Sequence, residues 1–134
     1  MKNKKLLCGL IFLILLMLVL VLFFKGQKYV IELSEENVGY IEVWDANTGE
    51  LRKYSNRDDI LDIVSCLNGL VLTQGKKINH TQNGSLYRVV CFSTDENEGT
   101  IFGATIKDME HIQIESIEKE FPFDAREIVA LLTQ

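Results

Sequence analysis

Asp45, Asn47 and Glu50 flank Gly49 in the stretch DANTGE (45–50), and carboxylate and amide oxygens clustered around a glycine are the raw material of a calcium loop. The spacing departs from that pattern: the glycine falls at the fifth position, the twelfth is Asn56, and the flanking residues read as strands. A hairpin turn accounts for the same residues, so no calcium site is expected. His80 and His111 are the only histidines. Zinc needs three or four Cys, His or carboxylate ligands at characteristic spacings, and neither a finger-like nor an HExxH arrangement occurs. His80 falls in a polar loop and His111 on the polar side of an alternating strand, so both are expected to be exposed and unpaired. Catalysis through a nucleophile would need a Ser or Cys beside a positioned base, yet there is no GxSxG elbow. Phosphate-cradling glycine loops of the GxGxxG or GxxxxGK[ST] type are also lacking. Acidic pairs abound in so acidic a chain and single out nothing. No enzyme, cofactor or metal is expected.

Cys66 and Cys91 form a disulfide candidate if the chain folds outside the cytosol; inside it they would be buried thiols. Cys66 falls on the flank of a helix and Cys91 within an apolar strand, so burial suits each of them. Trp44, in the first hairpin, is either a core anchor, the preferred reading, or a surface contact residue. The sequons Asn79-His80-Thr81 and Asn83-Gly84-Ser85 mark a polar, exposed segment.

The elements that must position these residues follow from periodicity. YVIELS (29–34) reads as a strand, and VGYIEVWDANTGELRKYS (38–55) as two strands around a turn at Asn47, Thr48 and Gly49. Ser55 followed by Asp58 resembles a capping box. Ile60, Ile63, Val64 and Leu67 then supply an i, i+3, i+4, i+7 stripe that Asn68-Gly69 ends. LVLTQGKK (70–77) reads as a strand and 78–85 as a loop. LYRVVCFST (86–94) is the most apolar strand and is expected to be central. TIFGATIKD (100–108) is its hairpin partner across the acidic turn DENEG, and EHIQIES (110–116) alternates. Pro122 breaks the chain before a second capping signature at Asp124–Glu127. Ile128, Val129, Leu131 and Leu132 give the last helix its apolar face. Strands, helix, strands, helix imply an α+β fold: an antiparallel sheet with two helices packed on one face.

The amino terminus carries a different signal. LLCGLIFLILLMLVLVLFF (6–24) is nineteen residues without a charge, sixteen of them Leu, Ile, Phe or Val. As a helix it is about 28 Å long against a hydrocarbon core of about 30 Å. Summed insertion energies give an upper bound of about −5 to −10 kcal/mol. A cleaved signal peptide would have a shorter apolar core and small residues at its end, where this chain has Phe23, Phe24 and Lys25. A lipoprotein signal would place a small residue before its cysteine and the apolar run ahead of it. Cys8 follows Leu7 and precedes the run, so it reads as a plain membrane-facing cysteine. Lys2, Lys4 and Lys5 before the span outnumber Lys25 and Lys28 after it, which favours a cytoplasmic amino terminus.

The expected organisation is a cytoplasmic stub (1–5), a transmembrane signal-anchor helix (6–24), a juxtamembrane segment (25–28) and one α+β extracytoplasmic domain (29–134) on a plasma membrane. Beyond residue 27 there remain ten Lys and Arg against all nineteen Asp and Glu, a net charge of −9. A domain so charged is not expected to bind nucleic acid or anionic lipid through a diffuse electrostatic footprint.

In element order and apolar pattern, the run from Val38 to Leu70, LYRVVCFST and the final DAREIVALL resemble the small extracytoplasmic domains of unknown function on lipoproteins and signal-anchored proteins of Gram-positive bacteria. The resemblance implies an α+β extracytoplasmic module and carries no catalytic residue. This chain departs from it in having no lipobox. The function expected is a membrane-anchored binding or interaction module whose partner is an envelope protein or peptide. Two alternatives are an immunity or inhibitor protein that blocks a basic envelope toxin or enzyme, and a small accessory subunit of a membrane complex.

Overall fold

The computed structural model describes residues 2–24, 28–79 and 84–134. His80 and part of both sequons therefore lie outside the described residues, as does most of the 25–28 segment. The protein is α+β. Helix α1 (Lys2–Phe24) opens with Lys2, Lys4 and Lys5 and is apolar all round from Leu6 onward, and its described side chains are exposed. It is long and apolar enough to cross a membrane.

Beyond it, β1 (Tyr29–Val30) leads through a short 3-10 turn (Glu35–Asn37) to the hairpin of β2 (Val38–Asp45) and β3 (Leu51–Tyr54). Helix α2 (Arg57–Asn68) follows. Then come β4 (Val71–Leu72), β5 (Lys76–Lys77), β6 (Tyr87–Ser93), β7 (Thr100–Asp108), β8 (His111–Ile114), β9 (Lys119–Pro122) and helix α3 (Arg126–Leu132). Seven strands form one antiparallel sheet in the order β3-β2-β6-β7-β8-β9-β5, while β1 and β4 pair separately.

Alternation sorts the side chains of the sheet into two faces. Ile41, Val43, Val89, Cys91, Ile106 and Ile112 are buried with the α2 stripe of Ile60, Ile63, Val64 and Leu67 and with Ile128 and Leu132 of α3. Helix and sheet faces thus bury one another, as the periodicity predicts. Arg52 donates to the Leu132 carbonyl at 2.8 Å and so ties the end of α3 to the β3 edge.

Three local readings are corrected. The 70–77 segment is two strands in different sheets, because Gln74 adopts a left-handed conformation (φ 59°) that turns the chain between them. Val71–Leu72 pair with Tyr29–Val30, and Lys76–Lys77 with Lys119–Glu120. In 29–34 only Tyr29–Val30 form a ladder; the rest is held by Asn68, which accepts from the Leu33 N–H at 2.8 Å and donates to its carbonyl at 2.9 Å. Asn56 rather than Ser55 caps α2, its side chain accepting from the Asp58 N–H at 2.9 Å. The segment before Pro122, to which the periodicity assigns no element, is a strand. Pro122 is tolerated as its last residue because β5 reaches only Lys119 and Glu120, so nothing on that side calls for a donor.

Candidate functional site

Both helices cover one face of the sheet, which leaves the other to be built from the alternate residues of β3, β2, β6 and β7. Cross-strand register arranges them in rows. One row runs Leu51, Trp44, Arg88, Thr105; the next runs Lys53, Glu42, Val90, Gly103; Tyr40 and Phe92 pair beyond them. Trp44 is 46% exposed and Leu51 56% exposed, side by side. The Tyr40 and Phe92 rings stack with centroids 4.5 Å apart, and the Lys53 ammonium sits 4.1 Å from the Tyr40 ring centre.

Glu42, Trp44, Leu51, Arg88 and Val90 line a shallow hollow of about 390 Å³ on this face. Its charged rim is fixed by geometry. Arg88 makes a two-pronged pair with Glu115, Nε to Oε1 at 2.7 Å and Nη2 to Oε2 at 3.2 Å. That pair needs a glycine at 103, since a Cβ there would occupy the place of the Glu115 carboxylate. Farther along the sheet, Glu120 meets Lys107 at 3.3 Å and accepts from Gln113 at 3.1 Å. The face therefore combines exposed aromatic and aliphatic surface with oriented ion pairs.

The residues singled out by chemistry are scattered. Asp45 is buried, and its Oδ1 accepts from the backbone N–H of Asn47 at 2.9 Å and of Thr48 at 3.3 Å. Gly49 takes φ +73° and donates to the Asp45 carbonyl at 2.8 Å, so DANTGE is a closed hairpin turn with its carboxylate turned inward. His111 is not unpaired: its Nδ1 lies 2.8 Å from Asp108 Oδ1, a contact that follows from the i, i+3 approach across the β7–β8 turn. Among the described residues, no three His, Cys, Asp or Glu side chains converge as a metal-binding group.

Cys66 on α2 and Cys91 on β6 are separate thiols. Burial pushes Cys91 up to about 12; burial first, then the Glu127 charge, pushes Cys66 up to about 11. Neither is a nucleophile at neutral pH.

Trp44 is on the surface, which corrects the preference for a core anchor. The sequence reading passed over its companions Tyr40, Leu51, Arg88, Val90 and Phe92. The signal available was the two-sided apolar pattern of VGYIEVWD: Ile41 and Val43 at odd positions, Tyr40 and Trp44 at even ones. Comparison with protein-family models, curated proteins and solved structures finds no match for this chain.

Proposed function

We propose that the protein is a single-pass, membrane-anchored interaction module. Residues 6–24 act as an uncleaved signal-anchor, and the 29–134 domain, outside the cytosol, holds an envelope protein or peptide on the helix-free face around Trp44. The observation that carries the anchoring is α1 itself, 23 residues long with none of its described apolar side chains buried against the rest of the chain. A helix of that composition has no stable place in water. The partner-binding half of the proposal is supported by the exposed Trp44–Leu51 pair beside the oriented Arg88–Glu115 pair. Confinement to a bilayer raises the effective concentration of partners already there, so a small surface of this kind suffices.

The experiment is site-specific photo-crosslinking of the full chain in intact cells, with the reactive residue in place of Trp44 or, on the exposed flank of α2, of Ser65. An adduct of discrete mass is expected from position 44 and not from position 65. No adduct at 44, or the same adduct from both positions, would contradict this assignment of the binding face.

A further inference from the structure

Of the ten Lys and Arg in residues 28–134, six are engaged by the domain itself. Arg52 meets Glu50 and the Leu132 carbonyl, Lys53 the Tyr40 ring, Arg57 the Val38 and Glu35 carbonyls, Arg88 Glu115, Lys107 Glu120, and Arg126 Asp124. The other four are Lys28, Lys76, Lys77 and Lys119. All four are exposed, and none forms an ion pair among the described residues.

Distant in sequence, they come together at one edge. Lys76 and Lys77 are β5, the last strand of the sheet, and Lys77 pairs in register with Lys119 of β9. Lys28 and Lys119 line a hollow of about 340 Å³ with Tyr29, Gln74, Gly75 and Phe121. Its floor is aromatic: Tyr29 stacks on Phe121 with centroids 5.7 Å apart, and the Gly75 backbone presses so closely on the ring that a Cβ would lie 2.5 Å from it. Exposed Ile117 completes the rim. Three carboxylates lie nearby: Glu118 at the end of the same turn, Glu115 at its start, which is held by Arg88, and Glu120, in register with Lys76 but held by Lys107 and Gln113.

We infer that this β5–β9 edge docks on anionic phospholipid headgroups of the bilayer that α1 enters. The inference rests on the anchoring proposed above. Two further observations select a membrane as the occupant. Tyr29 is five residues from Phe24, and five residues span at most about 18 Å, so the lysine edge cannot leave the neighbourhood of the end of α1. The carboxylates Glu35, Glu36, Asp95, Glu96 and Glu98 gather elsewhere, where the Thr94 N–H meets the Asn37 carbonyl at the ends of β2 and β6. Those strands lie four and five places from β5, about 20 Å across the sheet, beyond a Debye length of about 8–10 Å. An acidic domain thus presents a cationic edge on the side tethered to α1.

The test is backbone hydrogen exchange of the full chain in nanodiscs of phosphatidylcholine alone and of phosphatidylcholine with phosphatidylglycerol. Each lysine near an anionic surface strengthens attraction about fivefold, so the anionic lipid is expected to slow exchange at Lys76, Lys77 and Lys119 about tenfold or more. Amides of β6 and β7 should be unchanged. Lys76→Glu with Lys77→Glu and Lys119→Glu, or raised salt, should abolish the slowing; protection in β6 and β7 reports whether that variant folds, and if it does not, the three Lys→Gln changes take its place. Equal exchange at the edge in both lipids, with the chain still in the nanodisc, would overturn the docking. So would the same slowing produced by inorganic phosphate over the neutral lipid. A chain that elutes apart from the nanodisc would overturn the anchoring instead.

Discussion

Deleting residues 2–24 is expected to move the protein completely from the membrane fraction to the soluble fraction, with the rest of the chain still folded. The insertion energy of about −5 to −10 kcal/mol, an upper bound, corresponds to a partition ratio on the order of 10³ to 10⁷, so no intermediate distribution should be seen. Folding should survive because the described side chains of α1 lend nothing to the core. Among the described residues the first buried apolar side chain is Ile31, and the rest of the buried cluster lies beyond it. Sedimentation after lysis, with circular dichroism of the soluble product, checks both parts. A truncated chain that still pellets as folded protein would show that the domain binds the membrane or a membrane partner strongly enough without α1. A truncated chain that unfolds would show that α1 supports the fold.

Asn68→Ala is expected to destabilise the protein by about 1–3 kcal/mol, because it removes two hydrogen bonds and leaves the half-buried N–H and carbonyl of Leu33 without their partner. The effect should be local as well as global. Asn68 is the last residue of α2, 35 positions from Leu33, and its two bonds hold the segment arriving from α1 against the helix. Exchange of the amides from Ile31 to Leu33 should therefore accelerate more than exchange in β6 or β7. Denaturant unfolding of the full chain in detergent, with residue-resolved exchange, measures both. A loss below about 0.5 kcal/mol would mean that water replaces the side chain at no cost and that the segment is held by Ile31 burial alone.

What could be read in the sequence was whatever local periodicity decides. The α2 stripe Ile60, Ile63, Val64 and Leu67 is buried as its spacing requires, and β7 spans the whole of Thr100–Asp108. Long-range pairing decides the rest. LVLTQGKK carries no glycine or proline until Gly75, and nothing local marks Gln74 as the left-handed residue that splits it between two sheets. The place of Trp44 escapes local pattern for a related reason. VGYIEVWD has apolar side chains at both parities, and only the docking of α2 and α3 on the Ile41–Val43 face decides that Trp44 faces outward. His111 could not be matched with Asp108 until the β7–β8 turn closed on it. The lysine edge is hidden most deeply: Lys28, Lys76, Lys77 and Lys119 lie up to ninety-one positions apart, and a net charge of −9 beyond residue 27 conceals any cationic surface made by strand pairing.

Anchoring with the domain outward is tested by protease treatment of intact, wall-stripped cells that carry a carboxy-terminally tagged chain, with the intact mass read from the membrane fraction. A full-length mass in the membrane before treatment and loss of the tagged domain after it are expected. A tag protected in intact cells and digested only after lysis would contradict the outward orientation, and a shortened mass in the soluble fraction would contradict the anchor.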